Sequence, residues 1–121
     1  MFKEINILQT ASAMARHAAE RQSVIAENIA NANTPGYKAK DLESFGEAFA
    51  RGDVNAKPGE KHSPFRTETV AAKGAASPNG NTVSIEDQMW RSAGASRDHN
   101  TALSIYSKAL TMLRSSLGVS Q

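Results

Sequence analysis

Cysteine is absent from the chain, which removes disulfides, thiol nucleophiles and cysteine-based metal sites together and leaves the compartment unread. Aromatic residues make up only 6% of the 121 residues, and much of the 40% hydrophobic content is alanine, which builds helix but buries little area. Such a chain forms one domain at most, with a modest core, and a large share of its stabilisation has to come from partners. Neither sign of charge dominates. Fourteen Lys and Arg against twelve Asp and Glu give +2, with the signs interspersed, so the pI near 9.1 reflects a small imbalance and not a nucleic-acid patch. No apolar run approaches the ~20 residues of a membrane span. The first ten residues break their apolar positions with Glu4, Asn6 and Gln9, unlike the h-region of a signal peptide. On the residues alone, the chain is cytoplasmic.

Catalytic patterns are missing as well. There is no Gly-x-Ser-x-Gly elbow, P-loop or His-Glu-x-x-His helix, and no carboxylate pair flanking a nucleophile. His17, His62 and His99 stand far apart in sequence, and His17 reads as a partly exposed helical residue with no second ligand at metal spacing. The expectation is a protein that is not an enzyme, with no cofactor, no metal, no small-molecule substrate and no nucleic acid.

What is there is organised around Ser23–Tyr37, where a helical pattern is brought to a hard stop. From Leu8 the seam runs Leu8, Ala11, Ala15, Ala18, Gln22, Ile25, Ile29, Ala32, spacings of three and four that make a narrow heptad stripe. The residues before it, with Phe2, Ile5 and Ile7, either extend the helix or hang loose until bound. Asn33 stands where the left-handed cap of the helix is expected, and Thr34-Pro35-Gly36-Tyr37 reads as a type II turn, with Pro35 presetting φ and Gly36 supplying the positive φ. Asn28, Asn31 and Asn33 crowd this exit. They either cap freed carbonyls or, for Asn28 and Asn31 one turn apart, bond a neighbouring subunit.

Beyond the turn, Asp41–Phe49 reads as a short helix with Asp41 at its N-cap and Leu42, Phe45 and Phe49 on one side. From Arg51 to Asn81 the pattern dissolves among glycines and prolines, with Ala71–Ala76 as low-information filler, an extended piece at Phe65–Val70, solvated charges at Lys61, His62 and Arg66, and a turn at Asn79-Gly80. Ser84 then opens the longest periodicity in the chain, with Asp87 completing a variant capping box. Its seam reads Ile85, Met89, Ser92, Ser96, His99, Leu103, Tyr106, Leu110, Leu113, Leu117, and Gly118 closes the helix. The fold class is therefore mainly α. Long terminal helices pack as a coiled-coil-like pair, residues 1–33 and 84–121, around an irregular middle at 34–83, all within one domain.

Glu27-Asn28-Ile29-Ala30-Asn31-Ala32-Asn33-Thr34-Pro35-Gly36-Tyr37 resembles the N-terminal signature of the flagellar rod and hook family of axial proteins. The flanks Arg21–Ala26 and Lys38–Leu42 resemble its short proximal-rod members. Val83–Trp90, with Glu86 and Met89, resembles the segment that opens their C-terminal helix, so the likeness covers both termini and fades between Gly46 and Ala76. It implies a structural subunit whose terminal helices pair and polymerise as the wall of a hollow rod. The implied assembly signature is Asn28, Asn31, Asn33, Thr34, Pro35, Gly36 and Tyr37. The implied partners are copies of itself, other rod proteins, the adaptor at the rod base and the type III export apparatus, by which such proteins leave without a cleaved signal for the periplasmic rod. Residue pattern alone also admits a soluble coiled-coil adaptor that binds one partner helix.

Overall fold

A computed structural model describes residues 2–52, 54, 62–70 and 77–118. The element order is α1 (Phe2–Ala30), β1 (Lys40–Leu42), α2 (Phe45–Arg51), β2 (Thr67–Thr69) and α3 (Ile85–Ser116). The N-terminal apolar residues extend α1 to Phe2. No helix among the described residues is long and apolar enough to cross a membrane. Gln22 meets Ser92 and Ser96 while Asn28 meets Gln88, so α1 and α3 run antiparallel, with the turn and the middle segment between them in the chain.

Which faces meet is the main difference from the sequence reading. α1 presents Ala11, Ala18 and Ile25, and α3 answers with Gln88, Ala95, Ala102 and Ala109, all buried. Both sets repeat every seven residues, as an antiparallel pair with a heptad seam requires. The larger α3 residues read as the seam lie on the next stripe round the helix. Ile85, Met89, Leu103, Tyr106 and Leu117 are exposed, while Leu110 and Leu113 are half-buried. On α1, Leu8 is half-buried, Ile25 is buried and Ile29 is exposed. The reason is steric. A helix faced with alanine brings its mate close only if the mate also offers small side chains at the points of nearest approach, since inserted methylenes force the backbones apart.

The ends of the helices carry two further corrections. α1 closes without a left-handed asparagine: among the described residues only glycines have positive φ. Instead, Ala32 N–H bonds the Ile29 carbonyl and Thr34 N–H that of Asn31, a tightened last turn that satisfies carbonyls without αL geometry. Asp41 is not a cap but a β1 residue. Ser44 caps α2 by accepting from Glu47 N–H, and Gly52 closes it at φ 85°. Ser84 caps α3 as expected, accepting from Asp87 N–H, and Gly118 follows its end at φ 71°.

The middle segment packs on α1. β1 pairs antiparallel with β2, Lys40 opposite Thr69 and Leu42 opposite Thr67, so the extended piece is present but shorter than Phe65–Val70. A small apolar cluster of Ala13, Leu42, Ala48, Val54 and Phe65 sits beneath it, with Val24 and Phe45 against its side. Phe49 is exposed. His17 is buried in this cluster, not partly exposed. Its Nε2 donates to the Glu43 carbonyl at 2.7 Å, and its ring stands edge-on to Phe45 and Phe65. Lys61 and Ala71–Ala76 lie outside the described residues, while His62 and Arg66 are exposed.

Candidate assembly interface

The asparagine-rich exit of α1 is built around Asn28, which is fully buried. Its Nδ2 donates to the Lys40 carbonyl at 2.7 Å and to Gln88 Oε1 at 2.9 Å. Its Oδ1 accepts from the Tyr37 hydroxyl and from Lys40 N–H, both at 3.0 Å. A carboxamide has two donors and two lone pairs, so all four are used. Burial pushes the Tyr37 phenol up, so it remains a protonated donor. Asn28 therefore ties α1, the turn, β1 and α3 at one point, a role that neither sequence reading of the asparagines anticipated. Asn31 does bond locally: its Nδ2 donates to the Glu27 carbonyl and its Oδ1 accepts from the Thr34 hydroxyl. Asn33, Thr34, Pro35 and Gly36 are exposed, and Tyr37 is half-buried.

The turn has the expected geometry, with Tyr37 N–H on the Thr34 carbonyl at 3.2 Å and Gly36 at φ 73°. It is held from outside by residues 77–84. Asn81 Nδ2 donates to the carbonyls of Asn31 (2.8 Å) and Thr34 (2.7 Å). Gly36 N–H reaches the Asn79 carbonyl, and Thr82 N–H reaches that of Tyr37. A β-carbon on Gly80 would stand 3.6 Å from Gly36 Cα, so the two turns meet backbone to backbone.

Beside this hub lies a set of partly buried charges. Asp41 accepts from Arg21 Nε (3.0 Å) and Nη2 (3.1 Å), from its neighbour's amide at Leu42, and from Arg91 Nη1. Arg91 also donates from Nε to Asp87 at 2.8 Å. One carboxylate thus bridges a guanidinium from each long helix. Burial by itself would raise the Asp41 carboxyl, but the Arg21 hydrogen bonds and charge, with Arg91, hold it below the usual range. Glu43 takes both oxygens to Arg51, at 2.8 and 2.6 Å, and accepts Arg66 N–H at 3.0 Å. These contacts, the Arg51 bonds foremost, bring its pKa to about 2.

The Glu43 arrangement has a pH signature. Its folded pKa lies below the ordinary value of 4.5, so the stabilisation is present above that value and is lost as pH falls towards about 2. The denaturation midpoint of the wild-type protein is expected to drop between pH 4.5 and 2. A Glu43→Gln variant should start lower and show a shallower drop. Parallel pH profiles for the two proteins would contradict the assignment.

None of these groups is arranged for chemistry. The carboxylates are committed to arginines, and the described residues hold no group of three His, Asp or Glu able to bind a metal. Among the described residues, large apolar side chains stand exposed along α3 and, at one end of the helix pair, at Phe2 and Ile5.

A family model described as "Flagella basal body rod protein" matches residues 8–38, which span α1 from Leu8 through the turn. The flagellar basal body rod protein FlgB of Agrobacterium fabrum is 29% identical over 114 residues, covering 84% of both chains. That of Aeromonas hydrophila is 28% identical over 109 residues, 81% of this chain and 82% of its own. That of Escherichia coli K12 is 59% identical over 29 residues, 24% of this chain and 21% of its own.

Over α1 and the turn, and more distantly over most of its length, the chain is similar to flagellar basal-body rod proteins.

The matched segment contains α1 from Leu8, with Arg21 and Asn28, and the turn, but not Asp41, Asn81, Gln88 or Arg91, which help to hold them. The roles of Gln88, Asn81, Arg21 and Arg91 escaped sequence reasoning, and the pattern marks Asp41 as a helix cap instead of a counter-ion. Asn81 and Gln88 are ordinary polar residues near a helix start, and nothing local marks them as buried. The Asp41 cluster left a fainter trace: Asp87 and Arg91 stand at ion-pair spacing on α3, and Arg21 and Asp41 flank the turn. Their convergence depends on how the two helices cross. Asn28 and Tyr37 thus form an internal joint, while Asn33, Thr34, Pro35 and Gly36 stay exposed on the turn.

Proposed function

We propose that this chain is a structural subunit of the bacterial flagellar basal body that polymerises into the proximal rod through its terminal helices. One observation carries the reading. The alanines take the intramolecular contact, which leaves the large heptad-spaced residues of α3 facing solvent, with Leu103 at 48% and Met89 at 64% exposure. Large apolar residues exposed at the start of α3 and again along its last turns mark an interaction surface, and their 3.5-residue period suits a partner helix. The assembly surface comprises this stripe, Ile85, Met89, Leu103, Tyr106, Leu110, Leu113 and Leu117, together with Leu8 and Ile29 on α1. The signature Asn28, Asn31, Asn33, Thr34, Pro35, Gly36 and Tyr37 aims the chain as it leaves α1.

Its partners are copies of itself, the other rod proteins, the adaptor at the rod base, and the type III export apparatus that delivers it to the periplasmic rod without a cleaved signal. On this reading the protein acts by packing and is not an enzyme. The test is Met89→Glu with Leu103→Glu. These exposed positions should tolerate the change, leaving helix content and the unfolding midpoint near wild type, while completed rods and motility are lost. Rods completed at wild-type numbers would remove the stripe from the assembly. Assembly that stops at a small closed complex would favour an adaptor.

A further inference from the structure

The ends of the helix pair differ in chemistry, and they match each other. At the start of α3, Trp90 is the one tryptophan of the chain and is 74% exposed. Glu86, four residues earlier, lies on the same side of the helix. Together with Ser84 and Asp87 they line a notch of about 300 Å³, with Met89 exposed beside it. The other charges nearby are spoken for: Asp87 with Arg91, Glu27 with Lys40, and Lys38 on the Gly80 carbonyl. Glu86 has no intramolecular partner among the described residues. At the far end of α3 stand Arg114, exposed in the last turn, and Leu117, 55% exposed.

Resting on the reading of the chain as a self-associating rod subunit, we propose that the Trp90–Glu86 notch receives Arg114 of a second copy, in a head-to-tail contact. A guanidinium is the ligand this notch suits. It stacks on an indole face and forks onto a carboxylate, while Leu117 of the incoming end covers Met89. The contact is intermolecular of necessity. Residues 90 and 114 are roughly 36 Å apart on one straight helix at ~1.5 Å per residue. Because the two surfaces differ, it is heterologous and propagates instead of closing a dimer. It adds an end-on contact and an axial direction to the lateral packing expected of the α3 stripe.

The test uses the purified full chain and follows the onset concentration of assembly by light scattering and sedimentation. Glu86→Lys sets Lys against Arg114, and Arg114→Glu sets Glu against Glu86. Each alone should raise the onset at least tenfold, with helix content unchanged. A one-to-one mixture should assemble near the wild-type onset, because alternating copies restore an opposite pair at every contact; the double variant should do the same. Trp90→Ala should raise the onset without rescue by mixing. If the wild type assembles and the single charge reversals assemble equally well, the head-to-tail contact is wrong while the rod reading stands. If both reversals fail and mixing does not restore assembly, the pairing is likewise wrong. A wild type that stays monomeric overturns self-association and this contact with it.

Discussion

Asn28→Ala is expected to destabilise the protein by on the order of 4 kcal/mol, a large fraction of the ~5–15 kcal/mol that holds a domain together. The substitution removes four hydrogen bonds at once and leaves four groups behind. Tyr37 is half-buried, and its hydroxyl can turn to water. Gln88 is fully buried, and losing its partner carries the full desolvation penalty, about 1–3 kcal/mol. The remainder comes from the Lys40 backbone groups at the start of β1, which lose both of their bonds to Asn28. Urea unfolding followed by circular dichroism gives the measurement, with Asn31→Ala as comparison. Asn31 makes local bonds at a half-exposed site, so its loss should cost about 1 kcal/mol. Equal midpoints for the two variants would mean that the buried amide is not the joint described above.

Asp41→Ala should be nearly as damaging, at about 3 kcal/mol, for a different reason. The carboxylate is the shared counter-ion of Arg21 and Arg91, whose side chains are 23% and 20% exposed. Removing it leaves two partly desolvated cations side by side, one on each helix, and only Arg91 keeps another carboxylate, that of Asp87. Breaking a buried pair in this way costs more than the pair itself contributes, because the orphaned charge stays behind. Two signatures separate this from loss of packing. Salt should partly restore the variant, since repulsion between the arginines is screened. A second substitution, Arg91→Met, should also recover part of the loss by removing one of the cations. A variant insensitive to salt, and made worse by Arg91→Met, would show that Asp41 acts through β1 packing alone.

Both predictions concern residues whose importance is a matter of meeting, and this separates what the sequence determined from what only the fold decided. The existence and approximate span of both long helices, the caps at Ser84 and Gly118, and the turn at Thr34-Pro35-Gly36-Tyr37 were legible because each depends on neighbours within a few residues: heptad spacing, a hydroxyl three residues before an amide, a glycine where φ must be positive. The likeness to axial proteins was legible for the same reason, as an unbroken run from Glu27 to Tyr37. Asn28 stood in that run, but its role could not be read from it, because Gln88 lies 60 residues away and only the antiparallel crossing brings them together. The same crossing chose the stripe of α3 that turns inward. Sequence pattern favoured Leu103, Tyr106 and Leu117 because large apolar residues normally seek the core. The fold buried Ala95, Ala102 and Ala109 instead, since α1 had only alanine to offer along most of its contact face and close approach demands small residues on both sides. Hydrophobicity marks which residues leave water; the shape of the facing surface decides which of them do so within one chain.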